Sequence, residues 1–200
     1  MELPPPTVIV LASGRGERFL ASGGTAHKLS ALLGGRPVLE HTLAAVRESG
    51  LPWHLEDVGH PGMGDSIAAA VRATADAGGW LILPADLPLV QAATMRRIAL
   101  ALSQWQAVQP VHAGARGHPV GFAASNGAAL MALAGPVGAV SVLRGLRAMN
   151  AVGEVEVDDA GVVTDIDTLD DLARAEALLL SRRCLVPSPA CGGGGKISSA

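Results

Sequence analysis

The sequence predicts an α/β protein of three layers, with a mainly parallel sheet between helices and a small antiparallel addition in its second half. Short β-branched and aliphatic runs bounded by glycine, at residues 7–11 (TVIVL) and 80–83 (WLIL), read as strands buried on both faces. Segments with apolar residues at helical spacing alternate with such runs through the first half of the chain. The composition agrees, because the 49% hydrophobic content comes mostly from Ala, Val and Leu, with no Tyr and two Phe, which suits an aliphatic core. Two hundred residues are enough for one domain with a substantial interior.

The first strand, residues 7–11, runs into the turn ASGRGERF, and a loop then leads to Lys28. Residues 28–33 suit a short strand or turn closed by Gly34 and Gly35. Pro37 suits the first position of a helix in which Val38, Leu39, Thr42, Leu43 and Val46 share a face, and Gly50 ends it. A short strand at residues 53–58 precedes a second glycine turn, HPGMGDS. That turn leads into a helix over 66–77, with Ile67, Val71 and Thr74 on one side and Gly78 and Gly79 as its stop. Beyond the strand at 80–83 come Asp86 and a helix over 91–103, with Met95, Ile98, Ala99 and Leu102 turned inward. Residues 107–111 and 119–123 read as strands flanking the polar segment HAGARGH, and 126–133 and 139–149 as helices. Residues 155–157 and 162–167 are expected to form a hairpin around the turn at 158–161. Thr168 and Asp171 match a capping box for the last helix, which carries Leu169 and Leu172. From Ser181 onward, prolines and a four-glycine run indicate a flexible tail, so the expected division is a domain over 1–180 and a tail over 181–200.

A net charge of −3, a pI near 6.0 and the lack of a dense Lys/Arg run argue against a nucleic-acid partner. No apolar run approaches the roughly 20 residues of a membrane span, so no membrane association is expected. The first residues hold no basic segment followed by an apolar one, and a cytoplasmic location is the expectation. Cys184 and Cys191 are spaced unlike zinc ligand pairs and imply neither a metal site nor a disulfide framework.

The stretch from Thr7 to Lys28 carries the first chemical signal. Glycines let backbone N–H groups approach an anion, and the start of a following helix would add its positive dipole end. Arg15, Arg18 and Lys28 supply cations around the same point, so the stretch reads either as a phosphate-binding loop or as an ordinary strand-to-helix turn with solvated arginines. Two better-known phosphate loops are excluded. The third glycine of a dinucleotide fingerprint is replaced by Phe19, and His27 rather than glycine precedes Lys28. Asp86 lies just past a buried strand, where ligands of open α/β sheets sit, and reads either as a metal-binding acid or as a turn or helix-cap aspartate. His112, His118 and Arg116 read as ordinary residues of a polar hairpin. Asp158 and Asp159 read as turn residues, and Asp170 and Asp171 as helix-start acids.

Five segments in order resemble the MobA-like nucleotidyltransferases, with the molybdenum cofactor cytidylyltransferases as the nearest branch. LASGRGERF resembles the LAxGxGxRF loop of that family, with Lys28 standing for its loop lysine. GMGDSIAAAV is similar to its GMGxSLxxG turn, and LILPADLP to its strand ending in a metal-binding aspartate. GHPVGF at 117–122 and TDIDTLDDL at 164–172 match two further signatures, and the resemblance covers about residues 7–180.

The resemblance implies a Rossmann-like, nucleotide-diphospho-sugar transferase fold and a Mg²⁺-dependent transfer of a nucleotide from a nucleoside triphosphate to a phosphate-bearing acceptor. CTP and molybdopterin-type cofactor are the favoured pair. Leu11, Ala12, Ser13, Gly14, Arg15 and Gly16 would wrap the nucleotide; Gly16, Arg18 and Lys28 would hold its triphosphate; Gly64 and Ser66 would seat base or ribose. Asp86 would bind the metal with Asp165 or Asp167, and Gly117, His118 and Pro119 would line the acceptor side. The implied catalytic set is Arg18, Lys28 and Asp86. Three departures stand out, one of them the short chain between the first long helix and GMGDS, which leaves room for a single strand at WHLEDV. The loop FLASGGTAH separates Arg18 from Lys28 by more residues than usual, and Pro136 and Val140 stand where close relatives often carry an acid and an arginine. Transfer to a sugar or polyol phosphate, or a non-catalytic accessory role beside a molybdenum enzyme, are the alternative expectations.

Overall fold

The computed structural model describes residues 4–185. In chain order the elements are β1 (Thr7–Leu11), α1 (Glu17–Ala21), β2 (Leu32–Leu33), β3 (Arg36–Pro37), α2 (Val38–Ser49), β4 (Trp53–Glu56), α3 (Met63–Ala73) and β5 (Gly79–Pro84). They continue with α4 (Ala92–Ala101), β6 (Ala107–His112), β7 (Ala115–Arg116), β8 (Val120–Ala123), α5 (Gly127–Met131), α6 (Val140–Ala148), β9 (Val152–Glu156) and α7 (Leu169–Leu185).

The central sheet runs β4-β1-β5-β8-β6, and β6 also pairs with β7 and β9. β1 pairs in parallel with β4 and β5, and β6 in parallel with β9. β8 is antiparallel to both β5 and β6, and it returns from β6 through β7. β2 and β3 form a separate two-stranded antiparallel ribbon. The expected mainly parallel sheet with an antiparallel addition is therefore the observed one.

Alternation along the buried strands divides the core in two. Val8, Val10, Leu81 and Leu83 face α2, α4 and α7 through Leu43, Val46, Met95, Ile98 and Ala175. Ile9, Trp80, Ile82 and Phe122 face α3, α5 and α6 through Ile67, Val71, Leu130 and Leu146. Because both faces are covered, these strands carry apolar residues continuously.

Three expectations are corrected. Residues 155–157 and 162–167 form no hairpin. β9 instead pairs with β6, and Ala160–Val163 is a 3₁₀ turn. The turn is diverted by Asp159, whose buried carboxylate accepts from Gly161 N (3.0 Å), Gln91 N (2.8 Å) and Thr94 Oγ1 (2.7 Å) and pairs with Arg182 at 2.9 Å. The helix after the second glycine turn begins at Met63 rather than Ser66, since the turn GMGDS is its first turn. The last helix runs on to Leu185, past the expected domain end at residue 180, and residues 186–200 of the expected tail, Cys191 among them, lie outside the described residues. Its predicted start is observed. Thr168 Oγ1 accepts from Asp171 N, and Asp171 accepts from Thr168 N at 2.8 Å.

Asp159 ties α4, the 3₁₀ turn and α7 together from a buried position, so removing its charge leaves Arg182 and four other donors without this partner. Asp159→Ala is expected to lower unfolding free energy by about 3 kcal/mol. Exposed Asp158→Ala is expected to stay within about 0.5 kcal/mol, both read by urea denaturation.

Candidate active site

The strands β1, β4, β5, β6 and β9 all end on one edge of the sheet, and β8, running the other way, begins there. A cleft of about 820 Å³ opens along that edge. His60, Gly62 and Ser66 line one part, residues 13–18 with Lys28, Asp86 and Asp167 line the middle, and residues 115–118 with Asp165 line the far part. Such an edge is where ligands of open α/β sheets bind.

The middle is a knot of charge. Lys28 Nζ donates to Asp86 Oδ2 at 2.6 Å and to Asp167 Oδ1 at 2.8 Å, with its side chain only 12% exposed. Arg18 Nη1 reaches the other oxygen, Asp167 Oδ2, at 2.8 Å. Burial alone would favour a neutral Lys28 amine, but Asp86 and Asp167 outweigh it and raise its pKa. Asp86 Oδ1 is buried and has no hydrogen-bond partner among the described residues. Backbone bonds hold the acids in place, with Ala85 N donating to Leu11 O at 3.0 Å and Ile166 N to Asp86 O at 3.0 Å.

Asp165 is exposed on the cleft wall and makes no ion pair among the described residues, whereas Asp167 shares the Lys28 ammonium with Asp86. His118 lines the same cleft two residues ahead of β8. Burial lowers its pKa, opposed by the charges of Asp86 and then Asp165, which leaves a neutral imidazole near pH 7. Gly117 is buried against the Val162 carbonyl, where a Cβ would lie 2.3 Å from the oxygen. His118 N donates to that same carbonyl at 2.9 Å.

The expected helix-dipole contribution after the loop is small, because α1 has only five residues and starts from Gly16 in a left-handed conformation (φ 66°). Amides and cations therefore carry any anion site here. Gly14 is exposed in the cleft, and a Cβ added to it would meet nothing within 4 Å. Ser13 Oγ and Ser66 Oγ are 2.9 Å apart and join the loop to α3.

Of the predicted residues, Leu11, Ser13, Gly14, Arg15, Gly16, Arg18, Lys28, Ser66, Asp86, Gly117, His118, Asp165 and Asp167 line one cleft. Ala12, Gly64 and Pro119 stand behind its wall. Ala12 N donates to Glu56 O, Pro119 is buried, and Gly64 packs under residues 134–137. A Cβ on Gly64 would meet the carbonyls of Ala134 and Val137 at 2.9 Å, and one on Gly62 the carbonyl of Gly135 at 2.1 Å. This docking brings Pro136 into the cleft, while Val140 is half exposed. Sequence reasoning missed His60, which lines the cleft and bonds the buried Glu56 at 3.1 Å, and His27, which bonds Gly14 O at 2.7 Å. Their only signal was position, one opening the second glycine turn and the other preceding Lys28.

The sheet order, with a glycine loop after β1 and Asp86 beyond β5, is an α/β fold that the chain shares with solved nucleotidyltransferases. The model of the MobA-like NTP transferase domain matches residues 8–157, and the chain belongs to that family. Rv0371c from Mycobacterium tuberculosis H37Rv is similar in structure (TM-score 0.71, 23% identity, 88% of this chain and 100% of that one), and its manganese complex also matches (TM-score 0.66, 22% identity, 86% and 98%). The Methanothermobacter nucleotidyl transferase Mth528 has TM-score 0.73 at 21% identity over 89% and 99%. The 2-C-methyl-D-erythritol 4-phosphate cytidylyltransferase from Thermus thermophilus has TM-score 0.59 at 21% identity over 88% and 99%. No curated protein matches the chain. Among the described residues no helix is long and apolar enough to cross a membrane.

A lowered His118 pKa means that the unfolded chain binds the extra proton more readily than the folded one. Stability is therefore lost as pH falls from above about 6.5, the ordinary histidine value, towards the folded value. Urea denaturation at pH 7.5 and 5.5 should show wild type losing more stability over that interval than His118→Gln.

Proposed function

We propose that the chain is a divalent-metal-dependent nucleotidyltransferase that moves CMP from CTP to a molybdopterin-type acceptor and releases pyrophosphate. The observation that carries this reading is the pair Asp86 and Asp167, held beside the loop of Gly14 and Gly16 with Arg18 and Lys28 between. Carboxylate oxygens are the donors that Mg²⁺ and Mn²⁺ prefer. The unpartnered, buried Asp86 Oδ1 adds an acceptor atom with nothing to accept from. Among the described residues no group of three or more His, Cys, Asp or Glu is placed to hold a metal. Two carboxylates with substrate phosphates fit the usual way Mg²⁺ is held in phosphate chemistry. Bound there, the ion would supply charge neutralisation to the phosphate oxygens.

In this reading the acceptor phosphate oxygen attacks the α-phosphorus, a P–O bond forms to it, and the bond to the β-phosphate oxygen breaks. The nucleophile is already an anion, so alignment and neutralisation matter more than a strong base. Loop amides and Arg18 would hold the triphosphate. Lys28 would stay as the second cation, released towards phosphate oxygens once another cation neutralises Asp86 and Asp167. Neutral His118, beside Gly117 at the start of β8, would face the acceptor without adding charge.

A second reading keeps the chemistry and changes the acceptor to a sugar or polyol phosphate. Pro136 favours it, because this uncharged residue lines the cleft where relatives of the molybdenum branch often carry an acid. A non-catalytic accessory role beside a molybdenum enzyme would bind nucleotide without turnover. A cytoplasmic location suits all of these readings.

Pyrophosphate release with each of ATP, CTP, GTP and UTP, Mg²⁺ or Mn²⁺, and molybdopterin, sugar-phosphate or polyol-phosphate acceptors separates the readings. CTP with molybdopterin is expected to give turnover, and no release with any pair by folded protein removes both transferase readings. Asp86→Asn should lower kcat/KM at least about 100-fold. Gly14→Ala has space to fold normally, yet its methyl stands in the cleft. It should raise the KM for nucleotide about tenfold with an unchanged melting temperature.

A further inference from the structure

A loop that presents amides to an anion must turn carbonyls the other way, and each of those carbonyls needs a donor. Here the donor to Gly14 O is His27 Nε2, at 2.7 Å. The opposite ring nitrogen, Nδ1, accepts from Leu29 N at 3.3 Å, which fixes the tautomer with its proton on Nε2. Both nitrogens are thus committed, and the ring lies against Gly16, where an added Cβ would meet Cδ2 and Nε2 at 3.3 Å.

His27 is itself grounded. Ser30 N donates to its carbonyl at 2.8 Å, and the next two residues are Lys28, clamped by Asp86 and Asp167, and Leu29, buried in the core. Gly14 and Arg15 line the cleft, and His27 does not. In a trans peptide the C=O of one residue and the N–H of the next point in opposite directions. A Gly14 carbonyl pinned behind the loop on His27 therefore aims the Arg15 N–H into the cleft.

We propose that His27 is a positioning residue of the phosphate-binding loop. It fixes the Gly14–Arg15 peptide so that the Arg15 amide donates to a polyphosphate oxygen, and it couples that peptide to the Lys28 cation one residue later. The inference rests on the nucleotidyltransferase reading above and extends it to a residue outside the cleft. The lengthened loop between Arg18 and Lys28 then has a use, since its last residue is the strut.

The test uses the full chain with His27→Phe, which keeps a flat ring without polar atoms, and His27→Gln, which restores a side-chain donor. Binding of inorganic tripolyphosphate with Mn²⁺ is followed by calorimetry and by the Arg15 amide resonance. The KM values for nucleotide and acceptor and the ligand-free melting temperature are read in parallel. His27→Phe should weaken tripolyphosphate binding and raise the nucleotide KM about tenfold, with acceptor KM and kcat within about twofold. His27→Gln should recover most of the loss, and the Arg15 amide should shift on tripolyphosphate addition in wild type but much less in His27→Phe. Wild-type-like tripolyphosphate binding by His27→Phe overturns the proposal. So does a loss that tracks a fall in melting temperature and is not recovered by glutamine; if phenylalanine does not fold, the glutamine variant decides alone, through a shift of its Arg15 amide like that of wild type or the lack of one. Failure of wild type to bind tripolyphosphate or any nucleoside triphosphate overturns the underlying functional reading instead.

Discussion

One ammonium group holds three remote parts of this chain together. Lys28 bonds Asp86, 58 residues away, and Asp167, 139 residues away, from a side chain that is almost fully enclosed. Taking two carboxylates and an amine out of water is costly unless each charge is met, and here each partner meets the others. The first loop, the end of β5 and the lead into α7 consequently share one point, and the cleft is arranged around it. In the proposed reaction a hard cation would compete with the Lys28 ammonium for these carboxylates, and phosphate oxygens would compete with the carboxylates for Lys28.

The sheet makes the convergence possible. Parallel strands deliver the loop after β1 and Asp86 after β5 to one edge. The antiparallel β8 starts at that edge and so brings Gly117 and His118 opposite Asp86, a placement that another parallel strand would not give. Glycines in the second turn serve packing before recognition, since Gly62 and Gly64 lie directly under the carbonyls of residues 134–137. By accepting that segment they set Pro136, an uncharged residue, on the cleft wall.

Much was legible in the sequence by itself. Continuous apolar runs at 7–11 and 80–83 and helical spacing at 38–46 determined strands and helices, because burial on two faces or one leaves a local pattern. The charged residues of the loop and Asp86 were recognisable because glycine and strand ends mark where ligands sit. Tertiary structure alone decided the rest. Residues 155–167 have the local pattern of a hairpin, but β9 pairs with a strand 45 residues earlier and Asp159 is drawn to Thr94 and Arg182. Asp165 and Asp167 are equivalent in sequence, and only the path of the chain past Asp86 O turns Asp167 towards Lys28. His27 and Lys28 depend on partners up to 139 residues away. Local periodicity records whether a residue is buried, whereas pairing of charges and strands depends on which distant groups the fold brings within hydrogen-bond reach, and that is absent from any short window of sequence.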